Sequence, residues 1–321
     1  MQIEIKNFDK SVDIDEISQF LYKVQNTTGY LEEDTTLESI RDELEIARSN
    51  YKFILFEAYE NNQLIGLLLL FTNTPKFGLI WDWHPFVLPN KNEEDISKEL
   101  IKKCIEFSKD NGIIRIEACF GIEKDQDKQR YLKYFRLYKK LGFHHVIEEV
   151  EMELNLNEKI LKKIKFPANF EIKSVKNVEI NELFHCSFEI MNKSRDNMFL
   201  DLTEEQKWEV IKNYFEPSKP IIQEASIILN ESNKIIGLSI AKLSTFEKGR
   251  ATIGPFGILP NFRKKGLGET LLLFCLKKLL ENNFKIINLD VAIENEPAFN
   301  LYSKVGFRKK FSTNILALNC N

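Results

Sequence analysis

The sequence predicts two α/β lobes in tandem, and three observations carry that expectation. The chain has 321 residues, too many for one small domain and a good length for two of about 150. Hydrophobic residues make up 43% and charged residues 29%, the balance of a chain that buries real cores. The same order of extended, helical and turn signals occurs twice, about 170 residues apart.

Each half opens on an extended stretch, Ile3-Glu-Ile in one and Phe170-Glu-Ile-Lys-Ser-Val in the other. Amphipathic helical patterns follow at Ile14–Gln25 and Ser39–Arg48, then at Val178–Asn192 and Glu204–Phe215. A strand, a polar turn and a strand come next. In the first half these are Phe53–Tyr59, Glu60-Asn-Asn-Gln and Leu64–Leu70; in the second, Ala225–Leu229, Asn230-Glu-Ser-Asn-Lys and Ile235–Ala241. His84-Pro-Phe-Val-Leu-Pro-Asn matches Gly254-Pro-Phe-Gly-Ile-Leu-Pro-Asn, and each leads into an apolar helix. Phe135-Arg-Leu-Tyr-Lys-Lys-Leu-Gly-Phe matches Phe299-Asn-Leu-Tyr-Ser-Lys-Val-Gly-Phe. Lobes at 1–154 and 168–321 follow, joined over 155–167 by a polar, Lys-rich linker that ends in Pro167 or holds a short helix.

Bulk properties narrow the function. The apolar run Leu64–Phe71 is far shorter than the roughly 18 residues a membrane span needs, and Met1-Gln-Ile-Glu-Ile-Lys lacks the layout of an export signal. Five cysteines without close pairing fit a reducing compartment and predict a cytoplasmic protein. Residues 1–160 carry 21 basic against 30 acidic groups and residues 161–321 carry 24 against 18, nets of −9 and +6. The basic half suits a polyanionic ligand and the acidic half suits cations or solubility. No basic surface interleaved with aromatic residues points to nucleic acid. His144 and His145 are neighbours on an expected strand and face opposite sides, which argues against a shared metal. Cys104 and Cys275 read as core thiols, and Trp81, Trp83 and Phe86 as packing residues.

Chemistry concentrates in the second half. Pro260-Asn-Phe-Arg-Lys-Lys-Gly-Leu-Gly-Glu joins an extended apolar stretch to the helix Leu267–Glu281. A basic, glycine-bearing turn at a helix N-terminus offers backbone N–H groups and about half a positive charge to an anion. Gly266 and Gly268 let the backbone approach closely, and Arg263, Lys264 and Lys265 supply charge. After the strand Lys285–Ala292 comes Asn295-Glu-Pro-Ala-Phe-Asn-Leu-Tyr-Ser-Lys-Val-Gly-Phe, in which Ala298, Leu301, Tyr302 and Val305 share one helix face.

These two motifs resemble those of the GNAT superfamily of acyl-CoA N-acyltransferases. Arg263, Gly266 and Gly268 match its [Q/R]-x-x-G-x-[G/A] loop, and Asn295, Ala298, Leu301, Tyr302, Lys304, Gly306 and Phe307 match its second motif. The resemblance covers about Phe170–Leu318. It implies two lobes, each a mixed, bent sheet flanked by helices, with acetyl-CoA as co-substrate and no metal. The pantetheine arm is expected between splayed strands at Thr252–Leu259 and Ile286–Val291, and the pyrophosphate on Arg263–Gly268, Leu267 included. By the same resemblance, N–H groups near Ile258 and Leu259 would polarise the thioester carbonyl, and Asn295 would touch the arm or a strand edge. Tyr302 would protonate the departing thiolate. For the base, Asp290 leads, Glu224 is weaker, and a water relay needs no carboxylate.

In the first half, Asn92-Glu-Glu-Asp-Ile-Ser stands where that loop is expected, so three carboxylates replace glycine and cation. This lobe should not hold the donor in the ordinary way. It is expected to pack as a pseudo-dimer partner beside the acceptor cleft, in a monomer or a homodimer. The expected function is acetyl transfer to a primary amine of a small molecule or peptide, with no nucleic acid or membrane as partner. A non-catalytic acyl-CoA sensor is the rival.

Overall fold

The computed structural model describes residues 2–29, 35–72, 76–81, 83–89, 92–123, 125–163, 170–216, 220–232, 234–244 and 249–320. Two compact units result: Met1–His145 together with Asn314–Asn321, and Val146–Thr313.

The first unit contains β1 (Gln2–Asn7), α1 (Ile14–Thr28), α2 (Leu37–Asn50), β2 (Phe53–Glu60), β3 (Gln63–Phe71), β4 (Phe77–Ile80), β5 (Phe86–Val87), α3 (Glu93–Asp110), β6 (Arg115–Ile122) and α4 (Asp125–Lys140). Its helices start where capping side chains allow. Asp13 accepts the N–H of Glu16 ahead of α1, and Thr36 and Ser39 form a reciprocal capping box at α2. β3 reads Leu64-Ile-Gly-Leu-Leu-Leu-Leu because both of its faces are covered. Leu67 and Leu69 meet Ile17, Leu21 and Leu44, whereas Leu68 and Leu70 meet Leu100, Ile101 and Cys104.

The chain then forms β7 (His144–Asn155), whose bulk belongs to the second unit, followed by a short 3-10 turn at Ile160–Lys163. β8 (Glu171–Ser174), α5 (Ile180–Asn192), α6 (Asn197–Leu200), α7 (Glu204–Asn213), β9 (Ile227–Glu231), β10 (Lys234–Leu243), β11 (Arg250–Ile258), α8 (Leu267–Glu281), β12 (Ile286–Ala292), α9 (Glu296–Val305) and β13 (Arg308–Asn319) complete it.

Strand order is β1-β2-β3-β4-β6-β13 in the first unit, and β13-β7-β12-β11-β10-β9-β8 in the second. Both sheets are mixed: β4 runs parallel to β6 and β11 parallel to β12, while the other assigned pairs are antiparallel. The α/β expectation holds. The units differ from the predicted lobes in two strands. β7 lines up with β12 from Glu149 to Asn155, and the end of β13 enters the first unit, where Cys320 donates its N–H to Ile114. A strand needs only a paired edge and a covered face, and sequence order does not say which edge supplies them. Of the expected linker, residues 160–163 form the short helical turn and 164–167 lie outside the described residues.

Candidate active site

In the second unit, β11 and β12 share a register only where Arg250, Ala251 and Thr252 face Ile286, Ile287 and Asn288. Beyond Thr252, β11 follows β10 to Ile258 and β12 follows β7 to Ala292, so the two strands part. The opened side of β11 presents backbone groups that an extended ligand can pair with as an added strand. Leu259 donates its N–H to Ile236 at 2.8 Å. Successive N–H groups alternate along a strand, so that of Ile258 points to the opened side. Of the two expected carbonyl-polarising donors, the structure leaves Ile258 available and commits Leu259 to the sheet.

β11 passes through a short turn at Pro260–Phe262 into the basic loop and α8. Gly266 sits just ahead of α8 at φ 76, a left-handed conformation that costs a residue with a Cβ roughly 1 kcal/mol or more. The first N–H groups of α8 lack intrahelical partners, which makes this end an anion cradle. Leu267 is buried, so only its backbone can serve there, while Lys264 and Lys265 are exposed. Glu269 in the first turn pairs with Lys304 of α9 at 2.5 Å.

The Arg263 side chain is bonded within the protein. Its Nε donates to the carbonyl of Ile258 at 2.8 Å, and its guanidinium nitrogens donate to Lys193 at 2.6 Å and Ile190 at 3.2 Å. These bonds fold the side chain back onto the protein, away from the turn that carries Lys264 and Lys265.

Tyr302, on α9, is only 6% exposed and packs between Phe256 of β11 and Phe307. Burial pushes its pKa well above the ordinary value, so the hydroxyl stays protonated. Among the described residues it has no hydrogen-bond partner. The Asn295 side chain, just ahead of α9, makes no capping bond; Pro297 follows in the helix's first turn.

Asp290 is the exposed residue of β12 between buried Leu289 and Val291. Its cross-strand partner is Glu151 of β7. Although the residue reaches solvent, protein packed around its carboxyl limits hydration there, and that desolvation, then the Glu151 charge, raises it from the ordinary range to about 6. On the same face, Asn288 donates to Glu151 at 2.6 Å, and Arg250 bonds Glu153 at 2.6 Å and Asn288 at 2.7 Å. At the start of α6, burial raises the capping Asp196, and the Glu294 charge raises it further. Glu151 went unnoticed in the sequence, because cross-strand register to a strand so distant in the chain has no local signal. Glu224 lies in an exposed turn ahead of β9 rather than on a strand.

In the first unit the space beside the corresponding tyrosine is occupied by side chains. β4 pairs with β6 from Phe77 to Ile80, and the path is then interrupted before β5 pairs with β3. His84, the counterpart of Gly254, is 2% exposed; its Nδ1 accepts the Leu69 N–H at 3.2 Å and its ring packs on Phe86. A Cβ placed on Gly254 would meet no atom within 4 Å. Trp83 packs on Phe120 and Tyr134, and the Arg130 guanidinium lies 4.3 Å from the Trp83 ring centre. Tyr138, the counterpart of Tyr302, is fully buried and donates to the His84 carbonyl at 2.7 Å. Glu93, Glu94 and Asp95 form the first turn of α3, so they follow the helix start instead of standing in the loop before it as expected. Glu93 pairs with Lys133 at 2.5 Å and Glu94 with Lys140 at 2.6 Å, beside a cavity of about 440 Å³ between α3 and α4.

The family model described as the acetyltransferase (GNAT) family matches residues 17–143 and again 183–307, well over half of the chain. The chain belongs to that family. Both units are GNAT domains, and the tandem repeat read from the sequence is a tandem of that domain. No curated protein matches the chain. Solved structures share its fold. A GCN5-related N-acetyltransferase from Sphaerobacter thermophilus is 15% identical with a TM-score of 0.65, over 99% of this chain and 96% of its own. A tandem GNAT protein from the clavulanic acid biosynthesis pathway is 12% identical with a TM-score of 0.59, over 100% and 99%. A glucosamine N-acetyltransferase region of a fungal multi-domain GH3 β-N-acetylglucosaminidase is 12% identical with a TM-score of 0.62, over 99% of this chain and 38% of that one.

The second GNAT domain thus brings Ile258, Gly266, Leu267, Gly268 and Tyr302 to the elements around the parted strands, and sets Asp290 beside Glu151. Among the described residues, no group of His, Cys, Asp or Glu suits a metal ion, and no helix is long and apolar enough to cross a membrane. His145 hydrogen-bonds Asn314 at 3.1 Å, and Cys104 and Cys275 are buried as expected.

Proposed function

We propose that the second GNAT domain, about residues 168–321 with β7 added, transfers an acetyl group from acetyl-CoA to a primary amine by direct attack. The observation that carries this reading is the opening of β11 from β12, with a glycine cradle at one end and the unpartnered Tyr302 hydroxyl behind it. The backbone cradle at Gly266–Gly268, flanked by Lys264 and Lys265, takes the pyrophosphate. Asn295 contacts the pantetheine arm, and Ile258 N–H polarises the thioester carbonyl as negative charge builds on its oxygen.

The chemistry needs two proton movements. Asp290, directly or through water, takes a proton from the ammonium so that nitrogen can attack the carbonyl carbon. The carbon–sulfur bond then breaks, the Tyr302 hydroxyl gives its proton to sulfur, and the second proton of the attacking nitrogen passes through water to restore Tyr302, leaving a neutral amide, a free thiol and the first proton on Asp290. No covalent enzyme intermediate forms. Asp290, Glu151, Asp196 and Glu294 favour a cationic acceptor, a small-molecule or peptide amine. The first domain, with Glu94 near the start of α3 and His84 and Trp83 filling its interior, is assigned no donor.

The five free cysteines, four of them buried, fit a cytoplasmic site of action. A nucleic acid or membrane has no part in this reading, and a monomer or homodimer serves it equally. The test is release of free thiol from acetyl-CoA in the presence of an amine panel. Amine-dependent release supports transfer; binding of acetyl-CoA without release would identify an acyl-CoA sensor instead.

A further inference from the structure

We infer that Arg263 is a positioning residue that ties the donor loop to the C-terminal end of α5, and is not a ligand of the donor phosphates. The inference rests on the donor site proposed above.

Three contacts define its position. The Nε bond to Ile258 holds the side chain against the last residue of β11, whose N–H faces the opened side of the strand. The other two bonds reach Ile190 in the last turn of α5 and Lys193, the residue that ends it. A helix leaves its last four carbonyls without intrahelical partners, and a cation there also meets the negative end of the helix dipole. Arg263 therefore caps α5 from a residue that belongs to the donor loop. Its surroundings exclude enough water to lower its pKa, yet a guanidinium keeps its charge throughout the useful pH range.

A second contact fixes the same junction. A Cβ on Gly257 would come within 2.3 Å of the Ile190 Cγ2, so α5 sits directly on the backbone next to Ile258. The chain leaving α5 is also ordered from this point. Ser194 donates to Met191 at 2.7 Å, and Asp196 receives the Phe199 N–H at 3.2 Å to start α6. The α5–α6 turn thus carries Asp196 on one side, while Arg263 leads into the Lys264–Gly268 cradle on the other. Whatever orders that cradle draws on the same side chain that anchors the turn. Donor binding is accordingly felt at residues 189–201.

The test follows backbone hydrogen exchange over 189–201 with and without coenzyme A, in the full chain and in Arg263→Gln and Arg263→Lys, together with calorimetric affinities. Expected is added protection in the wild type on coenzyme A binding. Both variants should bind coenzyme A within about threefold of wild type, and Arg263→Gln should lose the protection gain. Arg263→Lys, which keeps the charge and can reach one carbonyl, should retain part of it. Coenzyme A affinity weakened about tenfold or more in both variants, with the protection gain intact wherever the ligand is bound, would make Arg263 a phosphate ligand and overturn the inference. Coenzyme A binding that leaves 189–201 unchanged in the wild type would also overturn it. Failure of the wild type to bind coenzyme A would instead remove the donor site and this coupling with it.

Discussion

The two GNAT domains carry the same tyrosine on the same helix, and its surroundings differ. Tyr302 lies behind parted strands with a free hydroxyl; Tyr138 is sealed in and bonded to the carbonyl of His84. Where the first domain has the buried His84, the second has Gly254 beside open space. At the start of the following helix, one has Gly266 and Gly268 and the other has Glu94 held by Lys140. A catalytic motif is thus insufficient evidence of a site. What separates the domains is whether the space beside the tyrosine is occupied by the chain's own side chains, and whether the helix start offers glycines or carboxylates.

The contrast can be broken at the loop with the largest effect. Gly268→Glu gives the second domain the carboxylate that the first carries at Glu94. A Cβ there meets only ordinary contacts, Leu301 at 3.5 Å and Ile258 at 3.8 Å, so the fold should survive. Like charge against the pyrophosphate should weaken coenzyme A binding about 100-fold or more, roughly 2.7 kcal/mol, by calorimetry. Retained affinity would show that the cradle is not where the donor sits.

The tyrosines come next. Tyr302→Phe should lower kcat by about 100-fold with KM little changed, as removal of a general acid requires. Tyr138→Phe should leave kcat unaltered and cost about 1–3 kcal/mol of stability in chemical denaturation, because the His84 carbonyl loses a buried donor. A fall in kcat from Tyr138→Phe would contradict the assignment of catalysis to one domain.

The subtler difference is in pH. With Asp290 raised to about 6, its base form is lost as pH falls through that value, and kcat/KM should fall with it. Glu151→Gln removes the repelling charge and should move this acid limb to lower pH, though not to the ordinary carboxylate range, since limited hydration of the carboxyl is the larger cause. An unmoved limb would take Asp290 out of the base role.

Much of this was legible in the sequence. The helix Leu267–Glu281 appears with the ends its glycine and polar neighbours set, and the paired strand–turn–strand signals mark β2 with β3 and β9 with β10. The loop and the Leu301-Tyr302 motif identify the family because their residue types are dictated by close backbone approach and a fixed helix face. What stayed hidden depends on register and on side-chain direction. The pairing of β7 with β12, which brings Glu151 to Asp290, joins distant segments. Arg263 reads as a phosphate ligand from its charge and place in the loop, and only three carbonyl distances reveal where its guanidinium goes. The filling of the first domain by His84 and Trp83 is likewise a matter of packing that composition does not record.

The central claim is that one domain of the tandem holds the acyl donor and the other does not. Titration of the full chain with coenzyme A, alongside Gly268→Glu, tests it most directly. One coenzyme A per chain in the wild type and none at the same concentrations in the variant is the predicted result. Two per chain, or one that survives Gly268→Glu, would contradict it.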